Sequence, residues 1–425
     1  MTATTPPVEA PRRRLHPLSP LLHGVKTLAV AVAAISWQGY AQLGPLRWAA
    51  LVAALCVIGL AVAAVSWRAT GYQVTGRELR VSEGLVWRRT RAIPLERLQT
   101  VEVRQSPLAR LLGVAELRLE VAGGSKTEAP LAYLGREDAA ALRETLLGRA
   151  RPPAPHGPAV AAVPLLAVPS RDVLVGQLLT VQALTLPLPL AFIVAQTMYA
   201  GSGSLIAFAS TVTALVGVAL QPVRRVLADW SFRLSSDADG LHVARGLLEL
   251  RRQVVPVRRV QIARAVWPLL WRRRGWLRIQ LEIAGVRQAD EEETANTLMP
   301  VGDLATARRL LPTVLPGVDL LGLPMRPAPP RARWLAPLAQ PTLAVAVTDE
   351  VFATADGVFT RRYNLVPYAR AQSVRLTRSR TQRLLGLASV HLDTGAGTVT
   401  AAHRDADEAR WLAGLLTDRM LRALR

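Results

Sequence analysis

One 30-residue segment occurs three times in this chain, without a gap. It reads GLVWRRTRAIPLERLQTVEVRQSPLARLLG from Gly84 to Gly113 and GLLELRRQVVPVRRVQIARAVWPLLWRRRG from Gly246 to Gly275. The third copy is GVFTRRYNLVPYARAQSVRLTRSRTQRLLG, from Gly357 to Gly386. Five positions recur at fixed spacing: Gly84, Pro94, Arg97, Gln99 and Gly113 in copy one; Gly246, Pro256, Arg259, Gln261 and Gly275 in copy two; Gly357, Pro367, Arg370, Gln372 and Gly386 in copy three. Repetition of this kind means one supersecondary unit folded several times. Repeats preserve a fold more readily than a site, so these positions read first as structural: glycine permits positive φ, and proline ends a strand. Before each opening glycine lies a hairpin pattern of alternating residues with a Gly or Asp turn, and after each closing glycine another alternating run (Ala115–Val121, Leu277–Ile283, Ala388–Leu392). Each copy then ends in a helical stretch with acidic residues near its start, at Arg136–Leu147, Asp303–Leu311 and Asp405–Leu424. The expected module is a small antiparallel barrel or sandwich capped by a C-terminal amphipathic helix.

Half the residues are hydrophobic, and four long apolar runs separate the repeats: Val25–Leu43, Leu46–Trp67, Val173–Met198 and Leu205–Leu227. Each reaches or approaches the roughly 20 residues that cross a bilayer as a helix. Gly44-Pro45 and Gly201-Ser202-Gly203-Ser204 would turn them into two transmembrane hairpins. No small-x-small cleavage site follows the first run, so it reads as an anchor and not a leader. The formal net charge is +21, yet the two turns offer just one basic residue, Arg47. Arg12, Arg13 and Arg14 precede the first run, Arg68 follows the second, and Arg224-Arg225 close the fourth. The positive-inside rule therefore expects a multi-pass protein of the bacterial plasma membrane with both termini cytoplasmic. It also accounts for charge that would otherwise suggest nucleic acid. No Asp, Glu, Lys, Arg or His lies within 27–46 or 48–66, which argues against a pump or proton-coupled transporter.

Pro94 to Gly113 and Pro367 to Gly386, each running Pro-x-x-Arg-x-Gln and ending Arg-Leu-Leu-Gly, resemble the bacterial pleckstrin-homology-like (PH domain-containing) integral membrane proteins, as does Arg14-Leu15-His16-Pro17-Leu18-Ser19 near the start. The resemblance covers nearly the whole chain. It implies an α+β membrane protein with four transmembrane helices and three PH-like antiparallel modules, and it implies no ligand. The expected organisation is a tail (1–24), hairpin one (25–67), module one (68–150), a Pro-rich linker (151–170), hairpin two (171–228), module two (229–318), a second Pro-rich linker (319–340) and module three (341–425). Copy two departs from the pattern: Arg272-Arg273-Arg274 stand where the others have Arg-Leu-Leu, and Trp267-Pro268 replace Gln105-Ser106.

Catalytic chemistry has little to stand on. Cys56 is the lone cysteine and lies in an apolar run, where a thiol is held neutral. No two of the six histidines share metal-ligand spacing. No P-loop, Gly-x-Ser-x-Gly or His-Glu-x-x-His occurs. The expectation is a non-enzyme without cofactor, metal or nucleic acid. Its modules would dock another membrane or cytoplasmic protein, or assemble with themselves, at the inner face of the membrane; lipid sensing and a transport or export role are the alternatives. One segment points to membrane lipids as a partner. Trp267, Trp271, Arg272, Arg273, Arg274 and Trp276 combine rings suited to a headgroup layer with charge suited to anionic lipid. An ordinary contact between barrels would use the same residues.

Overall fold

The structure is a computed structural model that describes residues 13–17, 19, 44, 46–62, 64–65, 67–68, 70–76, 78–83, 89–121, 129–149, 163–180, 191, 195, 220, 222–237, 240–283, 297–320 and 322–423. Copy one comprises β1 (Arg13–Arg14), β2 (Gly71–Thr75), β3 (Glu78–Glu83), β4 (Arg89–Pro94), β5 (Leu98–Gln105), α1 (Pro107–Leu111), β6 (Val114–Val121), β7 (Ala129–Gly135) and α2 (Arg136–Arg149). Copy two comprises β8 (Val163–Ala167), α3 (Ser170–Leu178), β9 (Arg233–Asp237), β10 (Gly240–Arg245), β11 (Leu250–Val255), β12 (Val260–Pro268), α4 (Leu269–Arg272), β13 (Trp276–Ile283), β14 (Thr297–Asp303) and α5 (Leu304–Val314). Copy three comprises β15 (Arg326–Pro327), β16 (Ala344–Val347), β17 (Val351–Asp356), β18 (Thr360–Pro367), β19 (Ala371–Thr377), α6 (Arg380–Leu384), β20 (Leu387–Thr394), β21 (Thr398–Asp405) and α7 (Ala406–Ala423).

The repeated residues each shape the same corner. Pro94 and Pro367 end β4 and β18, and Pro256 directly follows β11. Proline lacks the N–H that a ladder needs, so pairing stops there. A single 3-10 turn follows, closing on Arg97, Arg259 and Arg370. The register with the next strand then slips by one residue, between Leu98 and Thr100, Val260 and Ile262, and Ala371 and Ser373. Gln99, Gln261 and Gln372 are the extra residues of these bulges, which re-aim the strand. The closing glycines have φ of +68, +66 and +67° (Gly113, Gly275, Gly386), a conformation that a Cβ disfavours.

The chain forms two compact units. Met1–Val160 and Leu248–Val254 make the first; Ala161–Leu247 and Val255–Arg425 make the second. In the first, β1 to β4 lie in chain order in one sheet, and β5, β6 and β7 form another, with Leu250–Arg252 of β11 added antiparallel along the edge of β5. Leu79, Leu95, Leu117 and Leu119 fill the space between, closed by Leu142 and Leu146 of α2. In the second unit, β8, β9 and β10 pair in order. A seven-stranded sheet runs β14-β13-β12-β18-β17-β16-β15, and β19-β20-β21 form the last. Its central seam is β12 against β18, which joins copies two and three through the backbone. Leu277, Ile279, Leu310 and Leu311 lie in one core; Phe352, Val390, Leu412 and Leu416 lie in another under α7.

Two expectations need correcting. The first is the α+β membrane protein with four transmembrane helices. The described residues form mostly antiparallel sheet, and among them no helix is long and apolar enough to cross a membrane. The longest labelled helix, α7, has 18 residues and carries Asp407, Glu408 and Arg410 on its first turns. Helix α3 ends after nine residues. Expected spans Val25–Leu43 and most of Val173–Met198 and Leu205–Leu227 lie outside the described residues. The second correction concerns where modules begin. Strands β1, β8 and β15 precede the apolar or Pro-rich stretches yet pair with β2, β9 and β16. The intervening stretches are therefore insertions within modules. Part of the expected linker 319–340 is folded: Ala332 is buried, Arg331 pairs with Asp405, and Arg404 donates to the Arg326 carbonyl.

Candidate functional site

The departure of copy two from the repeat has a structural counterpart. Helix α4 stands where the other copies place α1 and α6, but its ring Trp271 is 1% exposed. The indole Nε1 donates a 2.8 Å hydrogen bond to the Gly176 carbonyl of α3. Gly176 has no room for a side chain: a Cβ there would stand 2.8 Å from Val301 Cγ2 and 3.1 Å from Trp271 Cζ2. Trp276 meets Trp271 edge to face, with ring centroids 6.5 Å apart. Arg278 stacks over Trp271 and Arg274 over Trp276, at 5.7 and 5.1 Å. Arg272 donates to the Val358 and Phe359 carbonyls of copy three, at 3.2 and 3.5 Å. Burial and the nearby Arg361 charge pull its guanidinium below the usual arginine range. Of the six residues singled out from sequence, Arg273 and Arg274 are exposed, Trp267, Arg272 and Trp276 are half-buried, and Trp271 is interior. The rings therefore do not form one exposed aromatic face; Trp271 clamps the turn to α3.

Beside this clamp lies a cavity of about 430 Å³ that the sequence reading missed. Its floor is the outward side of β12, β13 and β18, carrying Arg264, Arg278, Gln280, Thr360 and Arg362. Gln177 of α3, Thr180 and Arg225 complete the wall. Four arginines line it and no carboxylate does, among the described residues. Arg264 is held by Asn364 at 2.8 Å and by Glu282 at 2.6 Å, so its guanidinium is fixed across the copy two–copy three seam. Arg278 Nε donates to the Pro300 carbonyl at 3.1 Å. Gln177 is 4% exposed, and its Nε2 has no hydrogen-bond partner among the described residues. An unmet buried donor costs about 1–3 kcal/mol, and a ligand acceptor would relieve that. Arginines from four separate segments with an amide donor suit an oxyanion, above all a phosphate. No short motif could reveal such a set, because its members span Gln177 to Arg362.

Three sheet modules closed by helices and joined by strand pairing, with an arginine-lined pocket in the second unit, define a modular architecture. The comparison with known families places it: the Bacterial PH domain model matches residues 25–150, 178–315 and 320–420, and the chain belongs to that family. Among curated proteins, the UPF0699 transmembrane protein YdbT of Bacillus subtilis (strain 168) is 30% identical over 88 residues, 20% of this chain. The match spans 18% of the length of that relative.

Proposed function

We propose that this chain is a non-enzymatic, membrane-associated protein whose second unit holds the phosphate headgroup of an anionic lipid in the arginine-lined pocket. The observation that carries this reading is the pocket itself: four arginines, no lining carboxylate and the unpartnered Gln177 amide. Its volume falls in the range of small-ligand sites. Two features support a lipid source for the phosphate. The relative at 30% identity is described as a transmembrane protein. In sequence, Gln177 and Thr180 stand just before the apolar stretch 181–219 and Arg225 just after it. The PH-like sheets act as the rigid frame that fixes the guanidinium positions.

The test is a titration of the full-length protein, read by tryptophan fluorescence of the Trp271–Trp276 pair. Short-chain phosphatidylglycerol is compared with short-chain phosphatidylcholine. The anionic lipid is expected to bind, and Arg278→Gln with Arg362→Gln to weaken it roughly 10- to 100-fold, the loss of one or two charge-assisted hydrogen bonds. Equal response to both lipids, or no effect of the double substitution, overturns the reading.

A further inference from the structure

We propose that the chain assembles head to tail with further copies of itself, β19 of one copy pairing antiparallel with β4 of the next. The chain already contains the joint twice. Strand β5 of copy one pairs with β11 of copy two, and β12 of copy two pairs with β18 of copy three. In both joints the strand after the signature bulge in one copy meets the strand before the signature proline in the following copy. The registers agree as well. Val103 and Arg252 lie 19 and 6 residues after the opening glycines of their copies, and Ala263 and Leu365 lie 17 and 8 after theirs; both pairs total 25. One docking geometry is thus used twice between unlike sequences.

The same two strand types each keep an edge without a strand partner among the described residues, β19 in copy three and β4 in copy one. Strand β19 pairs with β20 alone and β4 with β3 alone, among the described residues. Gln372, Ser373, Arg375, Leu376 and Thr377 are exposed along one, and Thr90, Arg91 and Ala92 along the other. An open edge presents a row of unpaired N–H and C=O groups, a template for another strand. A second molecule presents both partners in the register the internal joints use. The occupant is another copy because the β4 and β19 strands are the repeat equivalents of strands that already pair in this register. The joint is heterologous, so it closes into a ring or extends as a filament.

Carrying the register over opposes Val374 with Ala92, Thr377 with Arg89, and Arg375 with Arg91. The last pair sets like charges face to face, which weakens a ladder. Asp393 already binds Arg375 through two contacts, at 2.6 and 2.8 Å, and moderates that repulsion. The β5–β11 joint within the chain likewise sets Arg251 opposite Arg104, so this geometry tolerates such a pair, and one substitution should strengthen the joint between molecules.

The experiment uses full-length protein with Cys56→Ser. One tagged copy carries Val374→Cys and a differently tagged copy carries Ala92→Cys; the two are mixed and treated with a short thiol crosslinker. A mixed dimer is expected, because cross-strand partners hold their Cβ atoms about 4.5–5.5 Å apart. Replacing Ala92→Cys by Arg91→Cys shifts the register by one residue, turns the thiol to the opposite face and should abolish the product. Adding Arg91→Glu to the Ala92→Cys copy should raise the yield several-fold. The proposal is overturned by no mixed dimer from Val374 and Ala92, by equal yield from the shifted pair, or by loss of yield with Arg91→Glu. Lipid titration of the same variants leaves the pocket reading separately decided.

Discussion

The turn that follows the signature bulge strand is built in two ways within one chain. In copies one and three it is a short helix secured by its own sequence. Ser106 Oγ accepts the Ala109 N–H at 3.3 Å, and Ser379 forms a full capping box with Gln382. Their outer leucines stay in the open, Leu111 at 83% and Leu384 at 87% exposure. In copy two the cap position is Pro268, which makes no side-chain cap, and the turn is fastened from outside by Trp271 on the Gly176 carbonyl. Local capping has been replaced by a tertiary clamp. The residues so displaced from surface duty, with Arg278 stacked on the clamp, border the arginine-lined pocket. Where this repeat abandons its own local rule, the loss is offset by a long-range contact, and the arginine-lined pocket lies beside that contact.

The contrast makes a large numerical demand. Trp271→Ala removes a fully buried ring and should cost about 3–5 kcal/mol, whereas Leu384→Ala at the equivalent turn should stay within about 0.5 kcal/mol, as surface changes do. Chemical denaturation of the two variants side by side decides it. Equal losses would break the comparison, because they would mean that the copy three turn is clamped as well. A second variant acts on the other half of the clamp. Gly176→Ala places a methyl against Val301 and Trp271 and should cost about 1–3 kcal/mol through overpacking. A lowered melting temperature together with a shifted tryptophan emission would locate the strain at this contact.

Much of this architecture could be read in advance, and the limit has a physical form. The three copies, their alternating strands and their closing helices follow from side-chain periodicity, which sequence displays directly. The roles of Pro94 and Gly113 were accessible for the same reason, since each acts on its own backbone, whereas the bulge at Gln99 was not read from the sequence. Pairing of β12 with β18 was not accessible, because a strand ladder is made by main-chain groups common to all residues. Trp271 was misjudged through its neighbours, since a ring followed by three arginines has the composition of a membrane-surface turn. The clamp partner lies 95 residues away and is a carbonyl, which leaves no mark in a sequence. The pocket was missed for both reasons together: Arg225, Arg264, Arg278 and Arg362 converge only after the two copies have been joined.

A smaller effect separates the local caps themselves. Ser379→Ala removes a capping box and should cost about 1 kcal/mol. Ser106→Ala removes one longer bond and should cost less, and Pro268→Ala, where no cap exists, should change stability least at this position in the turn. Amide exchange across 107–113, 269–275 and 380–386 gives the three values in one experiment. A large loss for Ser106→Ala relative to Ser379→Ala would show that copy one depends on contacts beyond its cap.

The smallest expected effect is a pH dependence confined to one of the two designs. In copy three the cap runs on into the sheet: Gln382 Oε1 accepts the Ser379 N–H, while its Nε2 donates to Ser389 at 2.8 Å and to His403 Nδ1 at 3.0 Å. That last bond requires an unprotonated Nδ1. Burial lowers the His403 pKa; for His391, burial and then the Arg375 charge do the same. A folded value below the unfolded value near 6.5 means that the unfolded chain takes up protons first. The stabilisation is therefore fully present above about pH 6.5 and is lost as the pH falls through the lowered folded values. Protonated His403 would present a donor to the Gln382 amide, so the capping box should loosen with it. Exchange protection of 380–386 should fall between pH 7 and pH 5, and His403→Gln should flatten that fall. The copy two turn, fastened by an indole and a carbonyl that do not titrate, should hold its protection across the same range. A parallel fall at 269–275 would mean that the clamp and the cap open as one unit, and the division between local and tertiary fastening would not survive.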